Sequence, residues 1–250
     1  PGLPALRVAV VGTGWIGAEH LQLLETLGQR IVAVCDVDLG RAESAAPAGT
    51  RAYAHWGELL AQEELDAVWV ATPPLYHAGP AVAALERGIS VYLEKPVART
   101  LRDARAIVAA AEAGSAVCAV GYQWHGTEAL ELIRRELEGQ TVALLIGRSV
   151  GPTASRPWFV DRAAGGGNIL ERASHQIDLV HAVAGDVVRV RTVAAGVLLA
   201  QGAGAEGDIE DAASMLLELE SGALATIVVA RTLPGQPGFY SLDVIASEAR

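Results

Sequence analysis

The segment Gly12-Thr13-Gly14-Trp15-Ile16-Gly17 directly follows the apolar run Val8 to Val11. It opens a stretch in which Ile16, Leu23, Leu24 and Leu27 recur at helical spacing. A glycine turn so placed commits the chain to a strand, a tight turn and a helix. The first glycine permits the turn, the second lets backbone approach a pyrophosphate, and the third allows the helix to pack closely on the strand. The helix N-terminus attracts the phosphate charge. Ile31 to Asp36 reads as the next strand, and Asp36, 19 residues after Gly17, ends it where a carboxylate accepts hydrogen bonds from an adenosine ribose. A 2′-phosphate there would be repelled by Asp36 and by Asp38, which points to NAD over NADP, with Arg41 as the residue opposing that preference. Gly12, Gly14, Trp15, Ile16, Gly17 and Asp36 are therefore cofactor-binding candidates.

Ala67 to Ala71, Ser90 to Leu93 and Val117 to Val120 also read as strands alternating with amphipathic stretches, the pattern of a doubly wound parallel sheet in an α/β fold. Ligands of such sheets lie beyond the carboxyl ends of the strands. That places Thr72, Pro73 and His77, then Glu94 and Lys95, among the cofactor contacts. Lys95 is the only lysine beside 18 arginines, so chemistry at this position is a reasonable expectation. After Gly121 the texture changes to a helix from about Thr127 to Leu137 and then β-branched runs at Thr141 to Val150, Val187 to Leu199, Ala212 to Glu220, Ala223 to Val229 and Ser241 to Ile245. The alternation of Met215, Leu217 and Leu219 predicts antiparallel strands with one wet face. Two domains follow, residues 1–122 and 123–250, and Gly202 to Gly207 reads as a hairpin-like tip without function.

The charge balance excludes some partners. Twenty-nine acidic against 19 basic residues give a net charge of −10, the wrong sign for nucleic acid or an anionic membrane surface. The 2 cysteines, Cys35 and Cys118, lie in apolar runs and predict no disulfide. No apolar run reaches the roughly 18 residues of a membrane span, and no charged-then-apolar leader precedes the first strand, so a cytoplasmic location is expected. No metal-ligand cluster is present in the sequence, and no metal is expected.

These motifs together resemble the glucose-fructose oxidoreductase, inositol dehydrogenase and rhizopine-catabolism (Gfo/Idh/MocA) family. The resemblance rests on Gly12 to Gly17, Asp36, Thr72-Pro73 with His77, Glu94-Lys95-Pro96, Gly121-Tyr122, Trp158, and Gly165-Gly166-Gly167 leading into a helix with His175. It implies a nicotinamide-binding Rossmann domain followed by an α/β domain whose open, mostly antiparallel sheet serves oligomerisation, and activity on sugars or polyols. It also implies a catalytic group of Lys95, Glu171 and His175, with glutamate standing where the family has aspartate. Family members continue for several elements past the point where this sequence stops, so the second sheet is expected to be incomplete and to bury its open face in a homo-oligomer.

Oxidising a secondary alcohol requires its hydroxyl proton to leave, and histidine is suited to take it at neutral pH. His175 is the expected acid/base, Lys95 the stabiliser of alkoxide charge, and Glu171 the orienting group. Glu171, His175 and Asp178 at i, i+4 and i+7 would share one helical face. Asn168 with Glu171 could instead form a capping box. Gln123 and Trp124, beside His125, and then Arg156, Trp158 and Arg162 are the expected substrate contacts, with Gly165 to Gly167 permitting close ligand approach. The alternatives are a redox-neutral NAD-dependent glycosidase or isomerase and a non-catalytic dinucleotide sensor.

Overall fold

The computed structural model describes residues 4–152, 156–197, 207–232 and 237–248, so most of the tip at 202–207 lies outside the described residues. The chain divides into two compact units, Pro1–Gly121 and Tyr122–Arg250.

Among the described residues, the first unit forms a parallel sheet of β1 (Arg7–Val11), β2 (Arg30–Cys35), β3 (Arg51–Tyr53), β4 (Ala67–Val70), β5 (Ser90–Leu93) and β6 (Cys118–Val120) in the order β3-β2-β1-β4-β5-β6. The strands are connected through α1 (Trp15–Thr26), α2 (Leu39–Ala45), α3 (Trp56–Gln62), α4 (Ala78–Leu85) and α5 (Leu101–Ala113). Val8, Ala9 and Val10 are all fully buried, as strands covered on both faces require. The chain order reverses beside β1, which pairs with β2 on one side and β4 on the other, and a crevice at that reversal is where open α/β sheets take ligands. The strand β3 had no periodic signal, being three residues long. It is held by tertiary contacts instead: Tyr53 donates to buried Glu63, which also pairs with Arg51.

The second unit carries α6 (Glu128–Glu136), β7 (Val142–Pro152), α7 (Arg162–Gly165), α8 (Ser174–Ala184), β8 (Val187–Ala195), β9 (Ala212–Leu219), β10 (Leu224–Thr232) and β11 (Phe239–Ala246). Its sheet runs β11-β7-β10-β9-β8; β7 and β10 are parallel and the other pairs antiparallel. Met215, Leu217 and Leu219 point into a core shared with Leu145, Ile227 and Val180 of α8, as their alternation required. The outermost strand β8 is wet along nearly its whole length. Cys35 and Cys118 are both free thiols, and burial, aided by Asp36, pushes the Cys35 thiol up to about 12.

Candidate functional site

The glycine turn is built by exclusion. Gly12 has φ +96°, and a Cβ there would lie 2.7 Å from the backbone of Ala71, just past neighbouring β4. A Cβ on Gly17 would overlap the Gly12 carbonyl. Gly14 differs, because a Cβ there meets nothing within 4 Å. It is also the N-cap of α1 and supplies no side-chain cap. Two glycines thus close the backbone and one leaves room above a helix N-terminus, an arrangement that fits a pyrophosphate. Trp15 and Ile16 begin α1, and the Trp15 ring is exposed.

Asp36 follows β2 and is buried. Its carboxylate accepts the Thr13 N–H at 3.0 Å, the Thr13 hydroxyl at 3.2 Å, the Asp38 N–H at 3.1 Å and the Arg41 guanidinium at 2.5 Å. Burial works to raise its pKa, but Arg41 and the two backbone donors prevail and hold it below the usual carboxylate value.

At the ends of β4 and β5, Thr72 keeps a buried hydroxyl oxygen with no hydrogen-bond partner among the described residues. Pro73 precedes a single 3-10 turn, Pro74–Tyr76. His77, expected among the cofactor contacts, joins two turns of the chain. The ring is fully buried, with Nδ1 2.9 Å from the Pro96 carbonyl and Nε2 2.8 Å from the Thr72 carbonyl, and the neutral imidazole donates to one of the two according to its tautomer. It ties the turn after β4 to the Glu94-Lys95-Pro96 turn after β5. Burial holds its pKa down against the pull of those carbonyls. Glu94 Oε2 accepts the Lys95 N–H at 3.1 Å, and Glu94 Oε1 lies 2.7 Å from His20 Nε2. His20 was not singled out from sequence, although it sits one turn after Gly17 on the same face of α1.

In the second unit, Glu171 does not lie in an α-helix. Ile169–Ala173 is a π turn that runs into α8 at Ser174, so α-helical spacing does not relate Glu171 to His175. The capping box is likewise absent: Asn168 has helical backbone angles and no cap bond, and its Nδ2 donates to the Asp211 carbonyl at 3.4 Å. His175 is buried in the first turn of α8, with its ring 6.3 Å edge-on from Tyr122. The single turn Gln123–Gly126, which carries Gln123 and Trp124, packs on α8 through His125, whose Nδ1 is 2.8 Å from Asp178 Oδ2. The expected substrate turn and the expected acid/base are thus brought together within this unit.

The remaining candidates form a neighbouring cluster. The Trp158 ring lies 4.0 Å from that of Phe159 at a tilt of 33°, and the Phe159 ring also lies under the Arg156 guanidinium at 5.5 Å. Arg162 is engaged by Glu210 at 2.7 Å. The glycine run serves packing: a Cβ on Gly165 would come within 2.5 Å of the Trp158 carbonyl, and one on Gly167 within 3.0 Å of the Glu210 carboxylate. Sequence reasoning also passed over Arg231, buried on β10 with its guanidinium 5.7 Å from the Phe159 ring. Burial lowers its pKa, while the charge of Glu171 acts in the other direction. A lone arginine in a β-branched run gave no signal for this.

Among the described residues, no group of three or more metal-ligating side chains converges, and no helix is long and apolar enough to cross a membrane. Residues 6–122 match the oxidoreductase family with an NAD-binding Rossmann fold, and residues 128–250 match the GFO/IDH/MocA C-terminal domain. The chain is 29% identical to inositol 2-dehydrogenase 2 of Paenarthrobacter aurescens, covering 97% of this chain and 73% of that protein. It is 31% identical to 2,7-anhydro-N-acetylneuraminate hydratase of Mediterraneibacter gnavus, covering 81% of this chain and 55% of that protein. The crystal structure of GenD2 from gentamicin A biosynthesis, in complex with NAD, superimposes with a TM-score of 0.89 at 26% identity, covering 100% of this chain and 72% of that one.

Proposed function

Because the chain belongs to the Gfo/Idh/MocA oxidoreductase family, we propose that it is an NAD-dependent oxidoreductase acting on a CH–OH group of a sugar, polyol or related hydroxy compound. The observation that carries this reading is the crest of the first sheet. Asp36, the glycine turn, Thr72 and Lys95 follow the neighbouring strands β2, β1, β4 and β5, on either side of the reversal in strand order. The kinship with an inositol 2-dehydrogenase supports the substrate class.

In this reading the N-terminus of α1 and the backbone at Gly12, Gly14 and Gly17 hold the pyrophosphate, with Trp15 and Ile16 alongside, and Asp36 receives the adenosine ribose. Thr72, Pro73 and Glu94 line the approach to the nicotinamide, and His77 keeps their turns in register. When bound, the nicotinamide supplies the two-electron partner for interconverting alcohol and carbonyl. The Lys95 ammonium donates to the reacting oxygen and stabilises its negative charge. His175 accepts the hydroxyl proton in oxidation and returns it in reduction, and Glu171 orients this group. Gln123, Trp124, Arg156, Trp158 and Arg162 bind the substrate's ring face and hydroxyls. The exposed valines of β8, Val188, Val190 and Val193, bury themselves against a second copy of the chain.

Lys95→Met tests the assignment. Turnover of myo-inositol or another responsive polyol should fall by about a thousandfold or more, while NAD affinity measured by calorimetry changes little. Undiminished turnover overturns the role of Lys95. The relative named as a hydratase favours one second reading, redox-neutral chemistry in which the cofactor is restored in each cycle. Product formation without net change in nicotinamide absorbance identifies it.

A further inference from the structure

Asp36 is the acceptor on which adenosine-ribose recognition depends, and its carboxylate is already fully engaged. Oδ2 takes both the N–H and the hydroxyl of Thr13, and Oδ1 takes the Asp38 N–H and Arg41. An ionised carboxylate offers about four lone-pair sites, so four donors from the chain itself leave none for a ribose diol. One donor has to yield. The Thr13 and Asp38 N–H groups are fixed by the backbone of their turns, and the Thr13 hydroxyl is carried on a short, buried side chain. The Arg41 guanidinium is carried on a long side chain that is 49% exposed, against 7% for the Asp36 side chain it grips. A half-exposed ion pair is screened by water and costs little to open, which makes Arg41 the donor that gives way.

An Arg41 displaced by a 2′-hydroxyl remains anchored on α2 beside the same acceptor. Its planar fork matches the oxygens of a phosphate, and its charge cancels one of the two negative charges of Asp36 and Asp38, so the repulsion those carboxylates impose on a 2′-phosphate is reduced. We propose that Arg41 makes the ribose pocket serve two ligands. It releases Asp36 to a 2′-hydroxyl and itself receives a 2′-phosphate, so the chain takes NAD-type and NADP-type dinucleotides with little discrimination. This rests on the dinucleotide reading above, and it narrows the preference that Asp36 alone would set.

The test uses titration calorimetry on the full chain with ADP-ribose and 2′-phospho-ADP-ribose, which carry the ribose edge and no reactive ring. The wild type should bind the two within about tenfold of each other. Arg41→Ala should weaken the 2′-phosphate ligand by about tenfold or more while leaving ADP-ribose equal or tighter, and Arg41→Lys, which keeps charge without the fork, should fall between. The side chain is half exposed, so the melting temperature of these variants should stay close to that of the wild type. An Arg41→Ala ratio equal to the wild-type ratio overturns the proposal, as does a wild type that already prefers ADP-ribose by about a hundredfold. A wild type that binds neither ligand overturns the dinucleotide reading itself, a result distinguishable from an unmoved ratio.

Discussion

The two sheets put chemistry in different places. In the first, both faces are covered, Val8, Ala9 and Val10 are sealed, and the candidate groups lie in the turns past the strand ends. In the second, one face is core and the outer strand is wet, and the candidate groups sit on a helix that leans on the covered face and enters it through a π turn. The first arrangement works through backbone: glycines with no room for a Cβ, an uncapped helix end, carbonyls that hold a histidine. The second works through side chains whose direction depends on helical register. A backbone device tolerates almost no substitution, whereas a side-chain device on a helix can be retuned, and a glutamate at position 171 is the kind of change it can absorb.

This contrast predicts the order in which substitutions should hurt. The largest effect belongs to Gly17→Ala, whose methyl would overlap the Gly12 carbonyl. It should cost about 3 kcal/mol or more and abolish dinucleotide binding, while Gly14→Ala, in open space, should leave the denaturant midpoint nearly unchanged and weaken binding only. Equal midpoints for the two variants would break the comparison. Next comes His77→Ala, which removes a fully buried ring and the one N–H it donates between the Thr72 and Pro96 carbonyls. A loss of about 3 kcal/mol is expected in urea unfolding.

The same histidine gives a pH signature. Burial depresses its pKa in the folded chain, so the unfolded chain takes up the proton first. Its contribution is whole above about pH 6.5 and declines as pH falls below that value. Melting temperatures across that range should show a slope that His77→Ala flattens; an unaltered slope would assign it to another group. The smallest effect on the fold is expected for Val193→Asp on β8, where the side chain is 78% exposed. It should change unfolding free energy by less than about 0.5 kcal/mol while shifting the sedimentation profile toward the monomer. A profile identical to the wild type would place any subunit contact elsewhere.

Most of the first unit's architecture was legible because it is written in local pattern: apolar runs at strand length, a glycine turn after one of them, and an acid at the end of the next. The alternation of Met215, Leu217 and Leu219 likewise fixed which side of β9 is core. Register was harder. The spacing of Glu171, His175 and Asp178 presumes an unbroken α-helix, and nothing in Ile169–Ala173 announces the wider turn that precedes α8. The three-residue strand β3 was invisible because it is held by Glu63 rather than by its own periodicity.

The amino-acid sequence alone determined the doubly wound sheet, its glycine turn and the residues at the strand ends, since each follows from the steric and hydrophobic demands of a few consecutive residues. Only the tertiary structure decided that His77 joins two turns, that Arg41 fills the last acceptor site of Asp36 and that Arg231 lies buried against Phe159. Each of those depends on which groups from separate strands and helices come to share one small volume, and no local spacing encodes that.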